Sequence, residues 1–127
     1  MGKFSFRKAE RLSKEKDIQE LFEKGSSFYL FPFKVLTLPG SETIQNHQVL
    51  ISVSRRNFKR AVDRNLIKRR IREAYRLNKH LLPSGSPQRI GLLYTHRETL
   101  PSKEISLKMV HVIKRICKVS RDQAPIS

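Results

Sequence analysis

Residues 55–80 carry eleven Lys or Arg side chains against two acids, Asp63 and Glu73, a local net of +9 in a 127-residue chain whose total is +16. Clustered cations neutralise rather than make or break bonds: they bind phosphates or other anions. Their spacing decides whether they act together. On a helical wheel at about 100° per residue with Ile67 at zero, Ile71, Ala74, Asn78 and Leu81 fall within about 40° and form a buried stripe. Asn65, Lys68, Arg69, Arg72, Arg76 and Lys79 fall between about 100° and 200°, on the opposite side. Five cations in one arc repel one another unless an anion lies along them, and a merely solvated face would mix signs for i, i+4 pairing. Arginine predominates in the arc. Its planar fork suits phosphate oxygens and base faces, so RNA or DNA is expected ahead of an anionic membrane.

The rest of the chain offers no catalytic apparatus. His47, His80, His96 and His111 are scattered and no carboxylates pair at metal-binding spacing, so no catalytic residue, metal or other cofactor is expected on the protein itself. Cys117 stands alone, which excludes an internal disulfide and a cysteine-cluster zinc site and suits a reducing, cytoplasmic setting. No apolar run approaches the roughly 20 residues that span a bilayer, and the first residues lack the apolar stretch of a signal peptide. An independent nuclease is therefore disfavoured. An RNA-binding subunit, a structured-RNA assembly factor or ribosomal-type protein, and a DNA-binding helix remain.

The elements that must position the arc follow from periodicity. A chain of this length fits one domain, expected over residues 1–120, with a flexible tail at 121–127. Ile18, Leu21 and Phe22 predict a short amphipathic helix over residues 14–24, capped by Ser13 and ended by Gly25. Residues 26–38 read as a strand with Pro32 at an edge or bulge, and residues 48–54 as a second strand pairing antiparallel with it. The basic helix starts near Asn57 or Ala61 and runs to about Leu82. Residues 89–95 resume strand character, and residues 101–117 form a final helix with Ser102 as cap. The order α-β-β-α-β-α, with an extra strand, predicts an α+β two-layer sandwich.

Preceded by LISVSRR, the segment AVDRNLIKRRIREAYR resembles the signature of the protein subunit of bacterial ribonuclease P. The matching positions are Val53-Ser54-Arg55-Arg56, Ala61-Val62, Arg64-Asn65-Leu66, Ile67-Lys68-Arg69 and Ile71-Arg72-Glu73, with Tyr75 as the nearby aromatic. The opening helix, with Arg11-Leu12 leading to Phe22 and Gly25, is also similar to that family's first helix. The turn RRNFKRAV lacks the family's glycine, and Leu66 stands in place of a motif arginine. The resemblance implies a four-stranded sheet with a left-handed βαβ crossover. It also implies a catalytic RNA and precursor tRNA as partners, with neither membrane nor DNA, and removal of the 5′ leader by chemistry on the RNA and its Mg²⁺. Arg55, Arg56, Arg64, Asn65, Lys68, Arg69, Arg72, Arg76 and Lys79 would then bind RNA. Ile18, Phe22, Lys34 and Leu36 would line a cleft for the single-stranded leader. Strand alternation sends Tyr29, Phe31, Phe33 and Val35 to the core and Phe28, Leu30, Lys34 and Leu36 to that cleft.

Overall fold

The strand expected over residues 26–38 is broken by its own proline. In a computed structural model, which describes residues 10–40, 46–82 and 87–122 with side chains through residue 118, Pro32 follows a cis Phe31–Pro32 bond. It sits in a two-residue turn between β1 (Ser26–Leu30) and β2 (Phe33–Pro39), which pair antiparallel. The register puts Phe28 opposite Val35, Leu30 opposite Phe33 and Tyr29 opposite Lys34. Cross-strand partners share a face. The alternation thus changes phase at the turn: Phe28 and Leu30 pack on the main core with Phe33 and Val35, whereas Tyr29 is 57% exposed on the other face and Phe31 lies exposed at the turn.

The expected pairing between the first strands and β3 (Gln48–Val53) does not form, because β4 (Gln88–Tyr94) inserts between them. The sheet order is β1-β2-β4-β3, with β4 antiparallel to β2 and parallel to β3. β4 can occupy the centre because it is apolar on both faces, with Ile90, Leu92 and Tyr94 on one and Gly91 and Leu93 on the other. Parallel neighbours need a crossover, and α2 (Ala61–Asn78) supplies it.

The helix α2 and the final helix α3 (Ser102–Asp122) cover one face of the sheet. Ile67, Ile71 and Ala74 of α2 meet Ile105, Met109, Val112, Ile113 and Ile116 of α3 in a core shared with Val35, Ile90 and Leu92. Two residues depart from the predicted stripe. Leu81 is 41% exposed because α2 ends at Asn78 and a 3-10 turn, Lys79–Leu81, rotates it away. Tyr75 is buried instead, beside the segment that carries Glu10. α3 begins without Ser102 as its cap: the Pro101 carbonyl accepts the first bond, from Ile105 N–H at 3.1 Å. It continues to Asp122, and residues 123–127 of the expected tail lie outside the described residues.

The first helix, α1 (Glu15–Lys24), lies on the opposite face, where Leu12, Leu21 and Leu36 form a second core with Ile18, Leu38, Leu50 and Leu93 packed against it. Its N-cap is Lys14 rather than Ser13, and no side chain caps it. The helix approaches β4 closely enough that a Cβ on Gly91 would lie 3.2 Å from Leu21 Cδ2 and 3.4 Å from Leu36 Cβ. Each leucine fully buried there contributes roughly 1.5–3 kcal/mol, so a small apolar contact holds α1.

Candidate nucleic-acid interface

The loop from β3 into α2 aims the first two arginines. Ser54 organises it: its carbonyl accepts the Phe58 N–H at 3.1 Å and its hydroxyl accepts the Arg56 N–H at 3.1 Å. Phe58 buries beside Tyr94, with ring centroids 6.1 Å apart, and Asn57 Nδ2 donates to the Thr95 carbonyl at 3.2 Å. No described residue has positive φ, so this loop needs no glycine where the family has one. Arg55 and Arg56 are left exposed at the end of β3.

Along α2 the structure divides the predicted contacts into two groups. Asn65, Arg69 and Arg72 are exposed and Lys68 is half-buried, and none of the four has an ion-pair partner among the described residues. The others are engaged locally. Arg64 Nη1 donates to the carbonyls of Phe58 at 2.6 Å and Lys59 at 3.0 Å, which fastens the loop to the helix. Arg76 forks onto Glu73, its Nε donating at 3.2 Å, and this bond holds the Glu73 carboxyl below its ordinary pKa and the Arg76 guanidinium above its own. Lys79 Nζ lies 2.7 Å from Glu10 Oε1, and both side chains are largely buried. Lys79 is therefore drawn away from the arc into the join between α2 and the N-terminal segment. The free arc runs from Arg55 to Arg72. Leu66, in place of a motif arginine, is half-buried outside it.

The proposed cleft is assembled by register. One row of side chains, Ser27, Leu36, Gly91 and Leu50, runs across the sheet beneath α1. The next row, Tyr29, Lys34, Leu93 and Ser52, continues on the same face. Leu36, expected in the cleft, is 5% exposed because Leu21 covers it, and Ile18 is half-buried in the same cluster. Phe22, 50% exposed, and Lys34 remain available. Tyr29 joins Lys34 as an aromatic that the sequence reading assigned to the core. The proline-centred turn was the signal that could have found it.

Two arginines that the sequence reading did not single out join elements, one on each side of the sheet. Arg89, 7% exposed on β4, holds α1 from below, with Nη2 3.6 Å from Asp17 Oδ1 and Nη1 3.4 Å from Glu20 Oε1. Arg70 of α2 donates to the Leu100 carbonyl at 2.7 Å and so ties α2 to the entry of α3. Two histidines take structural places: His47 Nδ1 accepts the Gln88 N–H at 3.1 Å, and His96 packs edge-on to Phe31 at 4.9 Å. Burial pushes the phenols of Tyr75 and Tyr94 above their ordinary pKa, and the Tyr94 hydroxyl donates to the Glu98 carbonyl at 2.6 Å. No three His, Cys, Asp or Glu side chains converge on a metal-sized site among the described residues.

A mixed sheet with an unpaired basic arc on its crossover helix, and an open face beyond its first helix that carries Tyr29 and Lys34, defines a small α+β protein built to hold a polyanion. The chain belongs to the Ribonuclease P protein family, whose profile matches residues 6–117. It is 45% identical over 80 residues to the Ribonuclease P protein component of Porphyromonas gingivalis, an alignment spanning 62% of this chain and 58% of that relative. Over 118 residues it is 33% identical to the component of Desulforapulum autotrophicum, covering 93% and 97%. The fold matches the Staphylococcus aureus RNase P protein at a TM-score of 0.73 and 30% identity, over 88% of this chain and 98% of that one.

Proposed function

We propose that this chain is the RNA-binding protein subunit of ribonuclease P, which assists a catalytic RNA in removing the 5′ leader from precursor tRNA in the cytoplasm. The observation that carries the reading is the free arc Arg55, Arg56, Asn65, Lys68, Arg69 and Arg72 in a chain that matches the family over residues 6–117. In this reading the arc neutralises phosphates of the catalytic RNA, and each contact lets condensed counterions go. The open row beyond α1 receives the leader: Lys34 meets its backbone, and Phe22 and Tyr29 offer faces on which bases stack. Hydrolysis in this reading belongs to the RNA and its Mg²⁺. The protein binds, orients and screens charge.

The test is reconstitution. Purified protein added to a ribonuclease P RNA at low Mg²⁺ should raise the rate of precursor tRNA cleavage at the mature 5′ end. Equal cleavage with and without it would sink the reading and favour a general structured-RNA binder.

A further inference from the structure

The helix α3 carries a second basic surface that the α2 arc does not use. Between residues 102 and 118 it has five Lys or Arg against Glu104 alone. On a wheel with Lys103 at zero, Lys114 and Lys118 fall at about 20° and 60°, with Leu107 and His111 at about 40° and 80°. The buried side chains Ile105, Met109, Val112, Ile113 and Ile116 centre on the opposite side, so the stripe points straight into solvent. Lys103, Lys114 and Lys118 are exposed and have no ion-pair partner among the described residues.

Geometry separates this stripe from the α2 arc. The flank of α2 that carries Arg70 faces the entry of α3, through the Arg70 bond to Leu100 O, and the 3-10 turn after α2 meets α3 through a 3.5 Å contact of Cys117 Sγ with Leu81 O. On the α2 wheel Arg70 falls at about −60°, so the arc, between about 100° and 200°, lies on the flank turned from α3. α3 leans instead to the β1 edge, where Arg115 lies 4.7 Å above the Phe28 ring. The two basic surfaces therefore lie on separate helices with the α2–α3 contact between them, and both are on the sheet face opposite the α1 side.

We propose that the α3 stripe is a second RNA-binding surface, which grips the phosphates of a base-paired segment of the catalytic RNA. This rests on the functional reading above. The chemistry selects the occupant. Apart from Arg115, engaged over Phe28, the cations of α3 are lysines, point charges without a fork, and residues 102–118 contain no Phe, Tyr or Trp to stack an unpaired base. Such a surface reads backbone charge, which is how a duplex of RNA is held. The substrate leader occupies the other face of the sheet, so the catalytic RNA is the partner left for this one.

The test is the salt dependence of binding to transcribed ribonuclease P RNA without tRNA, for the wild-type chain, the triple variant K103Q/K114Q/K118Q and an R69Q/R72Q control. Glutamine keeps helix propensity at exposed sites, and circular dichroism melts confirm that the fold is retained. The slope of log affinity against log salt should flatten by about two to three in the triple variant, at roughly 0.7–0.9 per phosphate contact. The R69Q/R72Q slope should flatten independently, and the two losses should add. An unchanged slope and affinity in the triple variant, with a flattened slope in the control, overturns the α3 surface and leaves the functional reading standing. A loss seen only toward anionic phosphatidylserine vesicles overturns it too. If the wild-type chain itself does not bind the RNA, the functional reading falls and this proposal falls with it.

Discussion

Arg69 and Arg72 both point into solvent, while Ile71 between them is fully buried. Reversing both charges, Arg69→Glu with Arg72→Glu, should weaken catalytic-RNA binding by at least tenfold and leave the melting temperature within a few degrees. Ile71→Asp should do the opposite and unfold the domain first, since it places an unpaired carboxylate in the core. Circular dichroism melts run beside binding assays separate the two, and a large loss of melting temperature in the arginine variant would mean the arc is structural. In the cleft, Phe22→Leu, Tyr29→Leu and Lys34→Gln should weaken holoenzyme binding of leader-bearing precursor tRNA and leave mature tRNA binding nearly unchanged. Each stacked base lost costs about 1–3 kcal/mol. Equal losses for both tRNAs would place these side chains outside any leader site. Much of the arc could be read from the sequence because an 18-residue helix repeats its geometry faithfully. The engagement of Arg64 and Lys79 could not: Glu10 lies 69 positions from Lys79, and the carbonyls of the loop are visible only once it has folded.

At the scale of elements, the position of α1 sets the open face. Leu21 fits over Gly91 with little room, and Arg89 draws Asp17 and Glu20 of α1 toward the sheet. Gly91→Val should lift α1, costing about 1–3 kcal/mol of overpacking strain and weakening precursor tRNA binding more than catalytic-RNA binding. A chemical-denaturation midpoint measured with both binding constants checks this, and parallel losses in the two would show that α1 does not gauge the cleft. Helices were legible here because a 3.6-residue period survives small errors at the ends. The first strand was not, because a proline-centred two-residue turn switches the inward face halfway along an apolar run. The phase error carried Tyr29 into the predicted core and Phe28 and Leu30 out of it. Leu36 was misplaced for a different reason: its face was read correctly, but a leucine from another element covers it.

For the whole molecule, charge is sorted by face. The acids concentrate in residues 10–23, five of the eleven in the chain, whereas the helices behind the sheet are basic. Composition made the polyanionic partner legible, and the family signature made the fold class so. Strand pairing was out of reach, since the choice between β2–β3 and β2–β4 neighbours is decided by burial on both faces of β4 at once. That insertion also sets an order of events. β2 and β3 join one sheet only through β4, which lies between them and begins at Gln88, after the other three strands and α2 have been synthesised. Until β4 follows, a nascent chain therefore has the β1–β2 hairpin, a β3 without its ladder partner, and a strongly cationic helix. A fragment ending at residue 87 should show no cooperative thermal transition, whereas the full chain melts in one step. If that fragment melted cooperatively, the sheet would be assembling without its centre.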